Sequence, residues 1–345
     1  MRRNSYEEVF RTRSGHPDGP GHGACGNTAE TTETTETTET VETTEETVDL
    51  SKVKMTMGTG GTSGTYYAFG GVVGQQITAS TGMGINVVST DGSKANILGI
   101  DAGDYQLGTV QSDVMAYAAA GTRSFETEGA LDSFRVVGGL YAEAVQLVTV
   151  DPTIETIADL AGKKVSIGAA GSGVYFNAVD VLAAAGLTEE DIEPQYQSFA
   201  DSADALKDGK IDAAFIVAGA PTPAITELCT TNANARLVPI DGEFAEKLMA
   251  DCPFYTVYNI PAETYANQTE DVTTVTVKAT MIVSTDASED AVYALTAAIF
   301  DNAEAITTAH AKGAELSLEN ATSGMTAPFH AGAAKYFAEK GITVE

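Results

Sequence analysis

The sequence predicts an α/β fold of two lobes joined by a hinge. Strand-like and helix-like segments alternate from Val53 onward, a pattern typical of parallel α/β sheets. Glycine-rich turns fall between a strand and the next helix, at the sheet edge where open α/β folds bind ligands. Asp151-Pro152 and the segment near residues 253–261 mark the expected passages of the chain into a second lobe and back.

Each element follows from its own residue pattern, β-branched and apolar runs predicting strands and helical spacing predicting helices. The expected strands are Val53–Met57, Ile85–Thr90, Gln106–Val110, Arg135–Leu140, Ala144–Val150, Lys164–Ile167, Ala213–Val217 and Thr273–Val283. The expected helices are Thr65–Ala79, Ala95–Ala102, Val114–Ala120, Val174–Ala185, Ala203–Lys207 and Glu289–Ala309. We expect residues 51–145 with 256–345 to form lobe 1, and 146–255 to form lobe 2.

The first 50 residues are expected to be a disordered segment. Residues 28–49 repeat Thr-Thr-Glu with almost no apolar content, which predicts a flexible, self-repelling tether. The preceding Gly23-Ala24-Cys25-Gly26-Asn27 resembles a bacterial lipoprotein cleavage site, which predicts lipidation of Cys25. No apolar stretch of a secretory signal precedes it, so a free thiol at Cys25 is the alternative.

Composition limits the function classes. A formal net charge of −29 repels phosphate backbones, so we expect no nucleic-acid partner. The four histidines and three cysteines show no metal-ligand spacing, and we expect no metal and no cofactor. No Ser-His-Asp order or nucleophile elbow is present, which disfavours an enzyme.

The turn Gly58–Gly64 follows a strand and opens a helix, where unpaired N–H groups and the helix dipole favour an anion. A dinucleotide site is disfavoured because the third glycine position is Ser63, and a phosphate loop because Gly-Lys-Ser/Thr is missing. A tight turn that needs glycine only for its geometry is the structural alternative. The candidate ligand-binding residues of this turn are Gly60, Gly61, Thr62, Ser63 and Tyr66.

Two further strand ends add polar candidates. After the second strand stand Asp91, Gly92, Ser93 and Asn96, with helix capping as the alternative role. After the third stand Gln111 and Asp113, and Asp113 is equally suited to capping the next helix.

The second lobe contains a counterpart of the first turn at Gly168–Gly173, with Ser172 and Gly173 as candidates. Two donor-lined turns facing one cleft would hold a carboxylate from both sides. Tyr255, near the return crossover, is a candidate to cover the cleft or to pack the hinge.

These motifs together resemble the TAXI family, from about Val53 to the C-terminus. The matching segments are Gly58–Tyr67, Thr90–Asn96, Gln111–Val114, Leu140-Tyr141, Ala158–Gly168, Gly171–Gly173, Gly209–Phe215 and Ile260–Tyr265. The resemblance implies a type II periplasmic-binding-protein-like fold that closes like a Venus flytrap. It also implies an extracytoplasmic solute receptor of a TRAP transporter, which delivers a small carboxylate to a sodium-driven membrane permease. Asp91, Lys94 and Ala142 depart from the usual family residues, which bears on ligand choice and local turn geometry.

The ligand is expected to be an amino acid such as glutamate or glutamine. Arg123, Arg135 and Arg236 lie outside every candidate turn, so backbone N–H groups and hydroxyls are expected to hold its carboxylate. Asp91, Asp113 and Glu143 are the candidates for its ammonium group. A sensor or surface antigen that feeds no permease is the alternative function.

The remaining expectations concern assembly and location. We expect a monomer in the periplasm or on the outer face of the cytoplasmic membrane. Cys229 and Cys252 are candidates for a disulfide in an exported protein, with buried free thiols as the alternative.

Overall fold

The computed structural model describes residues 48–345. Cys25 and the tether up to residue 47 lie outside the described residues. A 3-10 turn at Leu50–Lys52 is the first element, so the expectation of disorder through residue 50 is wrong at its last position.

The strands and helices alternate along most of the chain. The strands are β1 (Lys54–Gly58), β2 (Gly84–Val88), β3 (Leu107–Gln111), β4 (Phe134–Thr149), β5 (Lys164–Ser166), β6 (Glu193–Gln195), β7 (Ala213–Ala218), β8 (Arg236–Val238), β9 (Thr256–Ile260) and β10 (Val272–Ser284). The helices are α1 (Thr65–Thr81), α2 (Ser93–Asp101), α3 (Ser112–Ala120), α4 (Gly173–Ala184), α5 (Phe199–Lys207), α6 (Pro223–Thr231), α7 (Gly242–Asp251), α8 (Glu289–Phe300), α9 (Ala303–Ala309), α10 (Leu318–Thr322) and α11 (Ala331–Glu339).

The strands form one mixed sheet in the order β2-β1-β3-β10-β4-β7-β5-β6, with β8 beside β4 and β9 beside β10. The outer strands pair in parallel, as the alternating pattern predicts. The long central strands β4 and β10 are antiparallel to each other and to β3 and β7. The expectation of parallel sheets is therefore confirmed for the outer strands and wrong at the centre.

The central strands connect the two halves of the sheet. Strand β10 pairs with β9 through Val272–Thr276 and with β3 through Ala279–Val283. Strand β4 pairs with β10 through most of its length and with β7 from Ala144 onward. The expected lobe border between residues 145 and 146 falls inside β4, and the lobe limits stay a prediction.

Apolar cores lie on both faces of the sheet. Along β7, Phe215 belongs to a cluster with α4 and α7, whereas Ile216 belongs to a cluster with α5 and α6. This two-residue alternation is how a strand buries side chains on both faces. Each fully buried side chain of this size contributes roughly 1.5–3 kcal/mol.

The single helix expected over Glu289–Ala309 is two helices, α8 and α9. Asn302 leaves the helical region with φ −116° and ψ 24°, and its side-chain amide donates to Ala298 O. The neighbouring Asp301 accepts hydrogen bonds from Tyr336 and Lys340 of the last helix segment. These contacts fix the break against α11.

Cys229 and Cys252 are free thiols, which is the alternative to a disulfide. Cys229 packs in the cluster of α5 and α6, whereas Cys252 packs against the cluster of α4 and α7. Burial raises the pKa of each thiol to about 11. Within residues 48–345, no helix has both the length and the apolar character that crossing a membrane requires.

Candidate ligand-binding cleft

A cavity of about 480 Å³ lies at the carboxyl ends of β1, β2, β3, β5, β6 and β7. Ligands of open α/β sheets bind at this edge, and small-molecule sites span roughly 300–1,000 Å³. The lining residues are Gly60–Tyr66, Ser89–Ser93, Gln111, Glu143, Ala169, Ser172–Val174, Gln197–Ala200, Val217 and Ala218.

Helix starts dominate the polar lining. The N-caps of α1, α2 and α4 are Gly64, Gly92 and Ser172, and none makes a side-chain capping bond. The first N–H groups of a helix have no partner within it, so these starts offer donors. Together with the helix dipoles they favour a negatively charged group in the cavity.

The first glycine-rich turn is anchored by the end of β2. Ser89 Oγ donates to Gly60 O at 3.0 Å, and Thr90 Oγ1 donates to Thr59 O at 2.9 Å. A Cβ on Gly58 would lie 2.5 Å from Asn96 Oδ1, so the strand end needs glycine there. Gly61 has open space around it and presents its backbone to the cavity.

No lysine, arginine or histidine among residues 48–345 lines the cavity. Lys94, one of the departures from the family residues, points away from the cavity: its Nζ donates to Ser124 O and lies 3.3 Å from Glu128 Oε1. Asp91 at the rim is exposed, and Glu143 on β4 is buried. The cavity therefore combines dipolar donors with one buried carboxyl group.

Glu143 is the buried acid of the cavity. Tyr66 OH donates to Glu143 Oε2 at 2.9 Å. Burial raises the pKa of Glu143 to about 8, although the hydrogen bonds from Tyr66 and Gln111 lower it. Lys312 lies near enough to lower that pKa too, and its Nζ pairs with Glu315 Oε1 at 2.5 Å.

Most of the candidate residues come together at this cavity. Those that line it are Gly60, Gly61, Thr62, Ser63, Tyr66, Asp91, Gly92, Ser93, Gln111, Ser172 and Gly173. Asn96, Asp113 and Tyr255 do not line it.

Asn96 supports the turn from behind. Its Nδ2 donates to Thr59 O at 2.6 Å and to Thr109 O at 2.7 Å, and its Oδ1 accepts from Thr90 at 2.7 Å. A fully buried amide with these bonds is a structural brace between β1, β2 and β3.

Asp113 and Tyr255 belong to a buried network next to the cavity. Asn177 Nδ2 donates to Asp113 Oδ2 at 3.0 Å and to Tyr255 OH at 2.8 Å. Tyr255 OH in turn donates to Asp180 Oδ2 at 3.1 Å. Neither candidate is therefore positioned to contact a molecule in the cavity.

The wall formed by Gln197–Ala200 was not expected from the sequence. It follows β6, a strand of only three residues that contains a proline, Glu193-Pro194-Gln195. Ser198 caps α5 by accepting from Asp201 N, and the Ser-x-x-Asp spacing is the signal that predicts such a cap.

The fold is mixed α/β, with a polar cavity at the carboxyl ends of its parallel strands. The chain belongs to the NMT1-like family, whose sequence model matches residues 57–341. Within residues 48–345, no group of three or more His, Cys, Asp or Glu side chains is arranged to hold a metal ion.

Solved structures share the fold, which is that of type II periplasmic binding proteins. A protein from Bordetella bronchiseptica RB50 is 18% identical over 84% of this chain and 90% of its own, with a TM-score of 0.52. The alkanesulfonate-binding protein SsuA from Xanthomonas axonopodis pv. citri, bound to MOPS, is 18% identical over 84% and 91%, with a TM-score of 0.47. An arginine-specific periplasmic binding protein from Salmonella typhimurium is 13% identical over 76% and 99%, with a TM-score of 0.46.

Proposed function

We propose that this protein is the extracytoplasmic solute receptor of a TAXI-type TRAP transporter. It binds a small carboxylate, a glutamate- or glutamine-like amino acid, and delivers it to a sodium-coupled permease. The observation that carries the proposal is that uncapped helix starts and the buried Glu143 border one cavity, and that the part of the chain the structure describes brings no cationic side chain to it.

The ligand carboxylate binds between the two glycine-rich turns. The start of α1 at Gly64 and the start of α4 at Ser172 both border the cavity. Ser172 Oγ is buried and has no hydrogen-bond partner in the described part of the chain, so it has a donor available for an incoming oxygen. Backbone and hydroxyl donors thus perform the role that a bidentate arginine performs in other carboxylate sites.

The ligand ammonium binds Glu143. A buried carboxylate and a cation stabilise each other strongly, because little water screens them. Tyr66 fixes the carboxylate by its 2.9 Å hydrogen bond. Asp91 adds a weaker attraction from the rim, since it is exposed.

Delivery requires that the cleft close on the ligand and open at the permease. Contacts between the expected lobes support such closure. Thr65 Oγ1 donates to Gly219 O at 2.8 Å, and Ala224 N donates to Ser63 O at 3.2 Å. Both contacts join the first glycine-rich turn to the opposite side of the cleft.

The test is titration calorimetry of the ligand-stripped protein against amino acids, their deaminated analogues, and dicarboxylates. We expect one site per chain, with Kd well below millimolar for glutamine or glutamate and weaker binding of the analogue that lacks the amino group. Binding of no small carboxylate below millimolar would contradict the proposal.

Transport and location are tested separately from binding. Reconstituted TRAP permease should take up the ligand only when this protein is present, whereas a sensor would bind the ligand without supporting uptake. Metabolic labelling with a fatty acid tests the lipid anchor at Cys25, which Cys25→Ser should abolish.

A further inference from the structure

A buried polar cluster joins α3 to α4 beside the cleft. Asp113, in the first turn of α3, and Asn177, in α4, are both 0% exposed and joined by the 3.0 Å bond from Asn177 Nδ2 to Asp113 Oδ2. Asp180, one turn further along α4, pairs with Arg123 at 2.8 Å. The cavity lining includes none of these side chains.

Two oxygens of this cluster have no hydrogen-bond partner among residues 48–345. They are Asp113 Oδ1 and Asn177 Oδ1, the second oxygens of the two groups that the 3.0 Å bond already joins. An ionised carboxylate has no donor to offer an amide oxygen. A buried polar atom without a partner loses its hydrogen bonds to water and gains none in return, so the ionised pair is an unfavourable arrangement.

We propose that Asp113 is held as a neutral carboxylic acid and forms a two-bond acid–amide ring with Asn177. Asp113 Oδ1 takes one proton from solvent, and the new O–H donates to Asn177 Oδ1. Asn177 Nδ2–H continues to donate to Asp113 Oδ2, and no other bond forms or breaks. A single proton therefore satisfies both unpaired oxygens.

The surrounding charges favour the neutral acid. Burial raises the pKa of Asp113 to about 7. The backbone N–H of Val114 lowers this pKa, and the charge of Asp180 raises it. Glu143 is a further carboxyl group near Asp113, and Asp113 raises its pKa. Two neighbouring acids each make ionisation of the other less favourable. Arg123 is the cation of the cluster, and it is paired with Asp180.

The other titratable groups around the cluster are neutral at pH 7, and burial raises the pKa of each further above its ordinary value. They are Tyr117, Tyr255 and Cys252.

The ring ties together the two expected lobes, because α3 belongs to one and α4 to the other. Its role in cleft closure rests on the proposed function. In an open cleft both groups regain water, and the pKa of Asp113 returns toward 3.8. Closure then takes up a proton, so a fall in pH through about 7 favours the closed form. Asp113 is a positioning residue for the closed state.

Urea unfolding of the full-length chain without ligand tests the ring. The unfolding curves of wild type, Asp113→Asn and the exposed control Asp208→Asn are compared. A carboxamide at position 113 offers a donor and an acceptor at every pH. Unfolding of wild type releases the Asp113 proton below about pH 7, so stability falls as pH rises. The unfolding constant of wild type relative to Asp113→Asn should rise about tenfold per pH unit between about pH 5 and 7, and Asp208→Asn should follow wild type.

Infrared spectra at pH 6 provide the second readout. Wild type and Asp208→Asn should show a protonated carboxyl band that Asp113→Asn lacks, and Asn177→Leu should shift that band. Equal pH slopes in wild type and Asp113→Asn, or no carboxyl band that depends on Asp113, would overturn the proposal. Because no ligand is used, failure of the receptor function and failure of the ring give different results.

Discussion

Gln111 and Gly173 meet across the cleft so closely that a Cβ on Gly173 would lie 1.8 Å from Gln111 Oε1. Gln111 ends β3 and Gly173 begins α4, so the contact joins the two sides of the ligand cavity. Gln111 is buried, and the same Cβ would also lie 2.6 Å from Gln111 Cδ and 3.1 Å from Val114 Cγ2. Glycine at position 173 is therefore a condition for this close approach.

Gly173→Ala should weaken ligand binding at least tenfold, about 1.4 kcal/mol or more, because the added methyl group holds the cleft apart. Calorimetry measures the affinity, and urea unfolding measures the stability. Gly71→Ala is the matched control, since Gly71 lies in α1 with open space around its Cα. The control should keep its affinity and gain about 0.5–1 kcal/mol of stability from helix propensity. Equal affinities in both variants would contradict the contact's role.

Glu143→Gln should weaken an amino-acid ligand by about tenfold to a hundredfold and leave its deaminated analogue within about threefold. A neutral amide keeps the shape of the side chain but loses the charge that attracts an ammonium group. Calorimetry with both compounds measures the difference. The exposed Asp208→Asn variant serves as the control for a lost carboxylate. A similar loss for both compounds would show that Glu143 does not bind the ammonium group.

Asp91→Asn should weaken the same amino acid by less than about fivefold. Asp91 is exposed at the rim, where water and salt reduce an ion pair to about 0–1 kcal/mol. Titrations at low and physiological ionic strength measure the effect, which should shrink as salt is added. An effect larger than that of Glu143→Gln would transfer the ammonium subsite to Asp91.

Binding of an amino acid should strengthen as pH rises toward about 8. Burial raises the pKa of Glu143 to about 8, so below that pH the ligand ammonium must displace a proton from the empty site. In the Asp113→Asn background, which removes the opposite dependence of Asp113, affinity should rise up to about tenfold per pH unit below pH 8. The deaminated analogue is the control and should lack this rise.

Arg123→Gln should lower the free energy of unfolding by roughly 3 kcal/mol, because it leaves the buried Asp180 carboxylate without its cation. The guanidinium also lies 4.9 Å from the Tyr117 ring, a contact that the variant loses. Arg135→Gln is the control, since its partner Asp132 is 88% exposed, and its cost should stay below about 1 kcal/mol. Equal losses in the two variants would contradict this difference in burial.

The sequence predicts the parts of this fold that repeat a local pattern. Strand β1 and helix α1 flank a glycine-rich turn whose anion-binding character is predicted by the local sequence alone. The same holds for the turn between β5 and α4. Strands β6 and β8 have three residues each and were not predicted, whereas the equally short β5 was, because the glycine-rich turn Gly168–Gly173 follows it. The antiparallel centre was missed because pairing direction depends on which strands meet, which no single segment reveals.

The same distinction separates the candidate residues. Asn96 has the residue type and the position of a ligand contact, yet backbone carbonyls of β1 and β3 take both of its donors. Asp113 likewise follows a strand end, but Asn177 of a distant helix covers it. Glu143 and Gln197 join the cavity from strand β4 and from the segment after β6, through sheet neighbours that are far apart in the chain. Long-range pairing decided each of these placements.

The uncapped starts of α1 and α4 have a consequence for the medium in which the protein works. Dipoles fixed in the backbone carry no mobile counterions, and close contacts inside a closed cleft exclude the ions that weaken exposed pairs. Capture of the ligand carboxylate should therefore vary little between dilute and saline surroundings. It should also survive changes of pH that would neutralise an ionisable side chain, because a peptide N–H does not titrate over that range.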